Sequence, residues 1–152
     1  MRAIVRAALI AATLLPFPGM AQAAEIRVLA VQALETPLRA LAAEFGKDNG
    51  HQIALTIDTP DNVMQKVQAN EVHDVTIVSE PAMDRLDKEG VVNPESRVPL
   101  AKSGAPDAET YEAALMSDGA AVEASRAFVN FLAGEDARVK WAAAGLEPLG
   151  DR

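Results

Sequence analysis

Four polar side chains that can donate hydrogen bonds lie where apolar, strand-like segments give way to helix-like ones. They are Gln32, Thr59, Asn62 and Ser79. A helix that begins at such a point adds free backbone N–H groups and a partial positive charge. Hydroxyl, amide and backbone donors together suit a small anion. These four residues are therefore candidate ligand-binding groups, provided that the fold brings the ends of the segments together.

Carboxylates fall on the same turns, and they oppose anion binding. Two unit charges about 4 Å apart repel by about 4 kcal/mol at an effective dielectric constant near 20. Asp58, Asp61 and Glu80 have two interpretations at this stage. They can complement the positive ends of helices, at about 0.3–1 kcal/mol each. They can instead supply oxygen ligands to a cation such as calcium, although no spaced cation-binding motif accompanies them.

The two histidines are the other candidate ligands. His51 and His73 lie at the starts of the second and third strand-like segments. If those two strands are neighbours, the imidazoles could begin a copper or zinc site, and Asp74 could orient His73. The alternative interpretation is that both are polar turn residues at the surface. The sequence leaves the existence of a metal site undetermined.

Composition and motifs argue against several classes of protein. The chain has 152 residues, with 14 Lys and Arg against 22 Asp and Glu and no Cys. Because nucleic-acid binding needs a basic face, a formal net charge of -8 argues against that partner. Without cysteine, a thiolate nucleophile or a cysteine-ligated metal cluster is excluded. The sequence has no nucleophile elbow, HExxH motif or phosphate loop, so we expect neither an enzyme nor a cofactor.

The N-terminal segment has the pattern of an export signal. Two arginines precede an apolar run at residues 7–15, two prolines and a glycine follow, and Ala21 and Ala23 form a small-x-small cleavage site. The apolar run falls short of the roughly 20 residues that a membrane-spanning helix needs. The sequence therefore predicts a cleavable signal peptide over residues 1–23, a single domain over 24–152, and a periplasmic location.

Strands and helices alternate after the signal. Short segments rich in β-branched residues predict strands, and apolar residues at three- and four-residue steps predict helices. The predicted strands cover 25–31, 51–58 and 74–79, and the helices that follow them cover 34–45, the segment from Pro60, and 81–88. This alternation implies a single α/β domain with a mainly parallel sheet of about four or five strands, flanked by helices. A linker at 103–107 then precedes three predicted helices, over 109–116, 121–133 and 136–144.

Several segments, taken in order, resemble the bacterial periplasmic molybdate-binding proteins, which are type 2 periplasmic solute-binding proteins of ABC transporters. The segments are 30–34, Thr59 at its turn, 74–79, 81–86, 90–92, 96–104, 124–133 and 145–148. They cover nearly all of the chain after the signal. Such proteins have two α/β lobes that close on an oxyanion. Here Ser103-Gly104 passes almost directly to the returning helices, so the resemblance implies one lobe, with the second left out.

The resemblance implies an exported, non-catalytic solute-binding protein that takes an oxyanion and delivers it to an ABC transporter permease. Gln32, Thr59, Asn62 and Ser79 are the ligand-binding residues on this interpretation. The chain departs from the family where Ala33 replaces a usual serine, and where Pro60-Asp61 follows Thr59. The alternative hypothesis is a truncated lobe that no longer captures oxyanions. It would act as a protein-interaction module, including a homodimer, or as a cation-binding module.

Overall fold

A computed structural model describes residues 22–149. The predicted signal peptide, apart from Gln22 and Ala23, lies outside the described residues. Among the helices of residues 22–149, none is long and apolar enough to cross a membrane.

One sheet with helices around it accounts for the described part of the chain. Its strands are β1 (Glu25–Val31), β2 (Gln52–Asp58), β3 (Val75–Ser79), β4 (Val98–Lys102), β5 (Thr110–Leu115) and β6 (Glu147–Pro148). The helices are α1 (Glu35–Asn49), α2 (Pro60–Gln68), α3 (Glu80–Lys88), α4 (Val122–Ala133) and α5 (Glu135–Ala143), with short 3-10 turns at Gln32–Leu34 and Pro94–Ser96. The α/β class and the flanked single sheet are confirmed, although the sheet of the described residues has six strands and not about four or five.

The strand order within residues 22–149 is β2-β1-β3-β5-β4-β6. β1 runs parallel to both β2 and β3, as the alternation of strands and helices predicts. β5 lies antiparallel between β3 and β4, and β6 is antiparallel to β4. The sheet therefore has a parallel half, made of three βα units, and an antiparallel half.

The helix predicted over residues 109–116 is wrong, because these residues form β5. The prediction failed since β5 contains two adjacent alanines, which favour helices, and since β3, one of its two neighbours in the sheet, is distant in sequence. Ala113 and Ala114 are both fully buried, as expected for a strand covered on both faces. β4 and β5 pair with each other and are joined by residues 103–109. The chain thus turns straight back at the point where the resemblance places the omitted lobe.

The terminal helices close one face of the sheet with aromatic side chains. Trp141 and Phe128 are fully buried, and Trp141 Nε1 donates a hydrogen bond to the Leu132 carbonyl at 2.9 Å. Phe45 of α1 meets Phe128 edge to face, with ring centroids 5.1 Å apart, and Phe131 lies 5.4 Å from Phe45. These rings join α1 to the C-terminal part of the chain, which makes both halves of the sheet one unit.

Candidate functional site

The carboxyl ends of the parallel strands bring the predicted donor groups to one edge of the sheet. Val31 at the end of β1 is in register with Asp58 at the end of β2. Ser79 ends β3, and Tyr111 of the antiparallel β5 is its partner in register. Gln32 follows β1 directly in an exposed 3-10 turn. We call this row of strand ends the carboxyl edge.

At the start of α2, the predicted site residues bind one another. Thr59 is the N-cap, and its hydroxyl accepts the Asn62 N–H at 3.3 Å. The Asp58 carboxylate accepts the Thr59 N–H at 2.8 Å and the Asn62 side-chain amide at 2.7 Å. These bonds hold the pKa of Asp58 below its ordinary value, the bond from Asn62 contributing most. Asp58 is therefore an anion at neutral pH, and it already occupies the Asn62 amide.

The start of α3 is arranged differently. Ser79 is the N-cap residue, but its side chain makes no capping hydrogen bond. The half-buried Ser79 lines a recess of only about 20 Å³, about the space of one water molecule, together with Glu109, Tyr111 and apolar residues that include Pro60 and Ala82. The Ser79 hydroxyl thus caps no N–H group of α3, and the first turn of α3 has one backbone donor fewer than usual, because Pro81 has no N–H.

Tyr111 is a site residue that sequence reasoning missed. Its hydroxyl donates a hydrogen bond to Glu109 Oε2 at 3.0 Å, and the residue is 7% exposed. Burial, reinforced by the Glu109 carboxylate, raises the pKa of Tyr111 to about 12. The phenol therefore stays protonated and remains a donor. The alternation of Tyr111, Ala113 and Leu115 could have indicated a strand, but the helical prediction for this segment hid it.

The carboxylates of the edge do not gather into a metal centre. Asp61 and Glu80 are exposed in the first turns of α2 and α3, whereas Asp58 is bound as described above. Within residues 22–149, no three His, Asp or Glu side chains lie where they could share a metal ion. Glu35, on the remaining turn, pairs with Arg39 one helical turn away at 2.9 Å. The positions of Asp61, Glu80 and Glu35 match those that complement helix dipoles.

The two histidines precede strands that are not neighbours, so the condition for a shared metal site is not met. β1 lies between β2 and β3, and it separates His51 from His73. His51 accepts the Ala24 N–H at its Nδ1 atom (3.1 Å) and stacks on Phe45. His73 is buried, with its ring nitrogens 2.6 Å from the Glu71 carbonyl and 2.7 Å from the Thr76 hydroxyl.

Asp74 does not orient His73 either. Its carboxylate is 1% exposed and accepts hydrogen bonds from the Arg27 backbone and guanidinium. It also accepts the N–H groups of Ala120 and Ala121, ahead of α4. Asp74 thereby joins β1, β3 and the start of α4 at the end of the sheet opposite the candidate site. Its role is to hold the fold that positions the carboxyl edge.

The sequence matches the family model described as bacterial extracellular solute-binding protein over residues 26–106, just over half of the chain. The chain belongs to this family, as the resemblance led us to expect. The matched residues contain the three parallel βα units and the strand β4. No curated protein sequence matches the chain significantly.

Solved structures share the fold at low sequence identity. The substrate-binding domain attributed to a molybdenum ABC transporter from Clostridium difficile superposes with a TM-score of 0.75 at 10% identity, covering 84% of this chain and 100% of that one. The periplasmic molybdate-binding protein of Azotobacter vinelandii gives 0.68 at 13% identity, covering 80% and 98%. The sulfate-binding protein SubI of Mycobacterium tuberculosis H37Rv gives 0.69 at 12% identity, covering 83% and 87%. The fold is therefore that of a lobe of a periplasmic solute-binding protein.

Proposed function

We propose that this protein is an exported, non-catalytic solute-binding protein that holds a small oxyanion at the carboxyl edge of a single lobe. The observation that carries the proposal is the recess at the start of α3. There the Ser79 side chain, free of capping bonds, and the protonated Tyr111 hydroxyl lie beside the N-terminus of a helix. These groups are neutral donors at the positive end of a helix, and the recess has room for one oxygen atom of an anion whose remainder lies at the mouth of the recess.

The finer assignments of the proposal follow from family and sequence pattern. Residues 1–23 act as a cleaved signal peptide, and residues 24–152 work in the periplasm. The solute passes to an ABC transporter permease, and no cofactor takes part. Similarity in fold to proteins named for binding molybdate and sulfate supports an oxyanion as the ligand.

Nearby carboxylates make the proposed binding weak and selective. The Tyr111 hydroxyl must leave Glu109 Oε2 before it can donate to an anion. Glu80 adds negative charge at the first position of α3 itself, Asp58 adds it at the neighbouring turn, and repulsion of an oxyanion rises with its charge. We therefore expect a singly charged oxyanion to bind better than a doubly charged one of the same size. Gln32 and Thr59 are the further donors on the edge, and Thr59 keeps a hydroxyl proton to donate while it caps α2.

A second candidate function rests on the start of α2. Asn62 and Asp58 satisfy each other there, so these groups are not free for a small ligand. On this alternative the lobe has lost oxyanion capture. The edge then binds a basic protein surface through Asp58, Asp61 and Glu80. A cation held by all three is disfavoured, because no three such side chains come together within residues 22–149.

Thermal unfolding of the chain 24–152 at low salt distinguishes these functions. Molybdate, tungstate, the singly charged perrhenate of similar size, sulfate, phosphate, calcium, zinc and copper are added one at a time. A ligand at about 100 times its Kd stabilises by about 2.7 kcal/mol, which raises the midpoint by roughly 10 °C for a domain of this size. A rise in the unfolding midpoint with an oxyanion supports the proposal. A rise with cations alone supports cation binding by the carboxylates of the edge, and an unchanged midpoint with every ion supports protein binding.

Variants identify the groups that contact the ligand. We expect Ser79→Ala and Tyr111→Phe each to raise the Kd for the oxyanion about tenfold, because each substitution removes one hydrogen-bond donor. Thr59→Ala should abolish the response if its hydroxyl faces the ligand, and an unchanged Kd removes Thr59 from the site. Ser117→Ala is the matched control, because its hydroxyl binds the Gly90 carbonyl away from the edge. A response that survives in both Ser79→Ala and Tyr111→Phe contradicts the proposed recess.

A further inference from the structure

The strand β2 is an uncovered edge of the sheet. The Gln52 N–H donates to the Ala24 carbonyl, just before β1. Because backbone groups alternate in direction along a strand, the N–H and C=O groups of Ile53, Leu55 and Ile57 point away from β1. In residues 22–149 no further strand lies beyond β2. Three consecutive pairs of backbone donors and acceptors are therefore available to another strand.

Features that prevent edge pairing in natural proteins are missing from β2. Such edges are usually short, or carry lysine, proline or a bulge. β2 has seven residues, QIALTID, with neither lysine nor proline, and its register with β1 is unbroken over seven residue pairs. The opposite edge of the sheet is β6, which has only two residues, one of them Pro148. The sheet is thus protected at one edge and open at the other.

We propose that a second copy of this chain pairs with β2 in an antiparallel dimer whose two-fold axis passes midway between Leu55 and its counterpart. An axis at this position places Ile53 opposite Ile57 of the second copy, and Leu55 opposite its own counterpart. All three residues direct their backbone groups outward, so each opposed pair exchanges two hydrogen bonds, about six in total. Because the two copies are related by a two-fold axis, each contributes the same surface, the edge of β2, to the interface.

Side chains and charges are compatible with this arrangement. Ile53, Leu55 and Ile57 lie on one face of β2 and are only half-buried in the monomer. Their counterparts would complete that burial, because directly opposed side chains are in contact. At each end of the pairing Asp58 meets Gln52 of the second copy, so no two like charges oppose one another. Dimerisation at β2 does not require a bound solute, and it extends beyond the proposed function.

The dimer should be in equilibrium with the monomer at micromolar concentrations. One seven-residue strand gives an interface at the small end of the range for specific complexes. The net negative charge of each chain adds repulsion, which salt screens. We therefore expect the weight-average mass of the chain 24–152 to rise toward twice the monomer mass with concentration, and to rise further at moderate salt.

Two double variants test both the dimer and its register. Ala54 and Thr56 are exposed and point to the opposite face from Ile53 and Leu55. In the proposed register each Ala54 lies opposite Thr56 of the second copy, as a closely spaced pair that shares no hydrogen bonds. Ala54→Lys with Thr56→Lys therefore places two pairs of like charges across the axis. Ala54→Lys with Thr56→Glu places two pairs of opposite charges at the same positions.

Sedimentation equilibrium measures the outcome, with circular dichroism and thermal unfolding confirming that each variant folds. We expect the double-lysine variant to weaken dimerisation at least tenfold, and the lysine–glutamate variant to restore it. A wild-type chain that stays monomeric at millimolar concentration overturns the proposal, as does a double-lysine variant that dimerises normally. A lysine–glutamate variant as weak as the double-lysine variant overturns the register through Leu55. The oxyanion response of the folded monomeric variant is measured separately, so its loss bears on the proposed function alone.

Discussion

Replacing Asp74 by asparagine tests the account of how the fold is held together. The Asp74 carboxylate receives five hydrogen bonds, at 2.9 to 3.4 Å, from Arg27, Ala120 and Ala121. It joins β1 to the start of β3, and it fixes the segment that leads into α4. Asp74→Asn keeps the size of the side chain but removes its charge, and one oxygen is replaced by an NH2 group that cannot accept.

The expected cost is about 3 kcal/mol in the free energy of unfolding. Hydrogen bonds to a charged group contribute about 1.5–3 kcal/mol each, and breaking a buried ion pair costs about 3–5 kcal/mol. The lower end applies, because the Arg27 side chain is 35% exposed and regains water when its partner is neutral. At roughly 4 °C per kcal/mol for a domain of this size, the unfolding midpoint should fall by about 12 °C.

The effect of this substitution should depend on pH in a definite direction. Burial alone would raise the pKa of Asp74, but the bonds from Arg27 and from the amides of Ala120 and Ala121 outweigh it and leave the pKa below its ordinary value. A carboxyl group with a lowered pKa stabilises the fold above the pKa of the unfolded chain, and this contribution is lost as the pH falls through the lower, folded value. The difference between wild type and Asp74→Asn should therefore be full at neutral pH and shrink below about pH 4.

Urea unfolding from pH 3 to pH 7, followed by circular dichroism, measures this difference. Asp84→Asn is the matched control, because Asp84 is a half-exposed carboxylate that also pairs with an arginine, Arg97, at 2.7 Å. Exposed ion pairs contribute about 0–1 kcal/mol, so the control should lie within 1 kcal/mol of wild type. If Asp74→Asn costs no more than Asp84→Asn at neutral pH, the assignment of Asp74 as the central polar contact of the fold is refuted.

Three further predictions concern single side chains. Tyr111, the one tyrosine of the chain, should titrate near pH 12 rather than pH 10 when it is followed by ultraviolet absorbance. Glu109→Gln should lower this titration midpoint. A wild-type midpoint at pH 10 would contradict the burial of Tyr111. Thr59→Ala should lower the free energy of unfolding by about 1 kcal/mol, because the N-cap of α2 is lost, whereas Thr59→Ser should stay near wild type. Urea unfolding measures both. Equal stability of the wild type and the two variants would show that Thr59 does not stabilise α2 as a cap. Trp141→Phe should lower the free energy of unfolding by about 2–4 kcal/mol, because it opens a cavity and leaves the buried Leu132 carbonyl without its donor. A loss below 1 kcal/mol in the same assay would show that neighbouring side chains repack into the space.

Much of the parallel half of the fold could be predicted from local sequence. β1, β2 and β3 are runs of β-branched and apolar residues, and each is followed by a segment with helical spacing. Their boundaries carry local signals as well. Thr59-Pro60 begins α2 with a capping hydroxyl and a proline at the first position, and Asn49-Gly50 ends α1 with Gly50 at φ 68°. These signals act within a few residues, so they can be read without knowledge of the partners in space.

The candidate site could be predicted only in part. Gln32 and Ser79 follow parallel strands, and the rule that ligands bind beyond the carboxyl ends places them together. Tyr111 could not be found, because its position depends on the antiparallel pairing of β5 with β3. The bonds that occupy Asn62 and Asp58 also escaped prediction, since residue type alone does not tell which donor meets which acceptor.

The sequence by itself determined the fold class through periodicity and local capping, and it indicated the family through the resemblance of several segments taken in order. It also located the turns that end the parallel strands, where we propose that a ligand binds. The tertiary structure decided which strands are neighbours. It placed β1 between the strands that follow His51 and His73, and it inserted β5 beside β3 although its alanines favour a helix. Pairing between distant segments depends on the free energy of the whole sheet, and no short stretch of sequence carries that information.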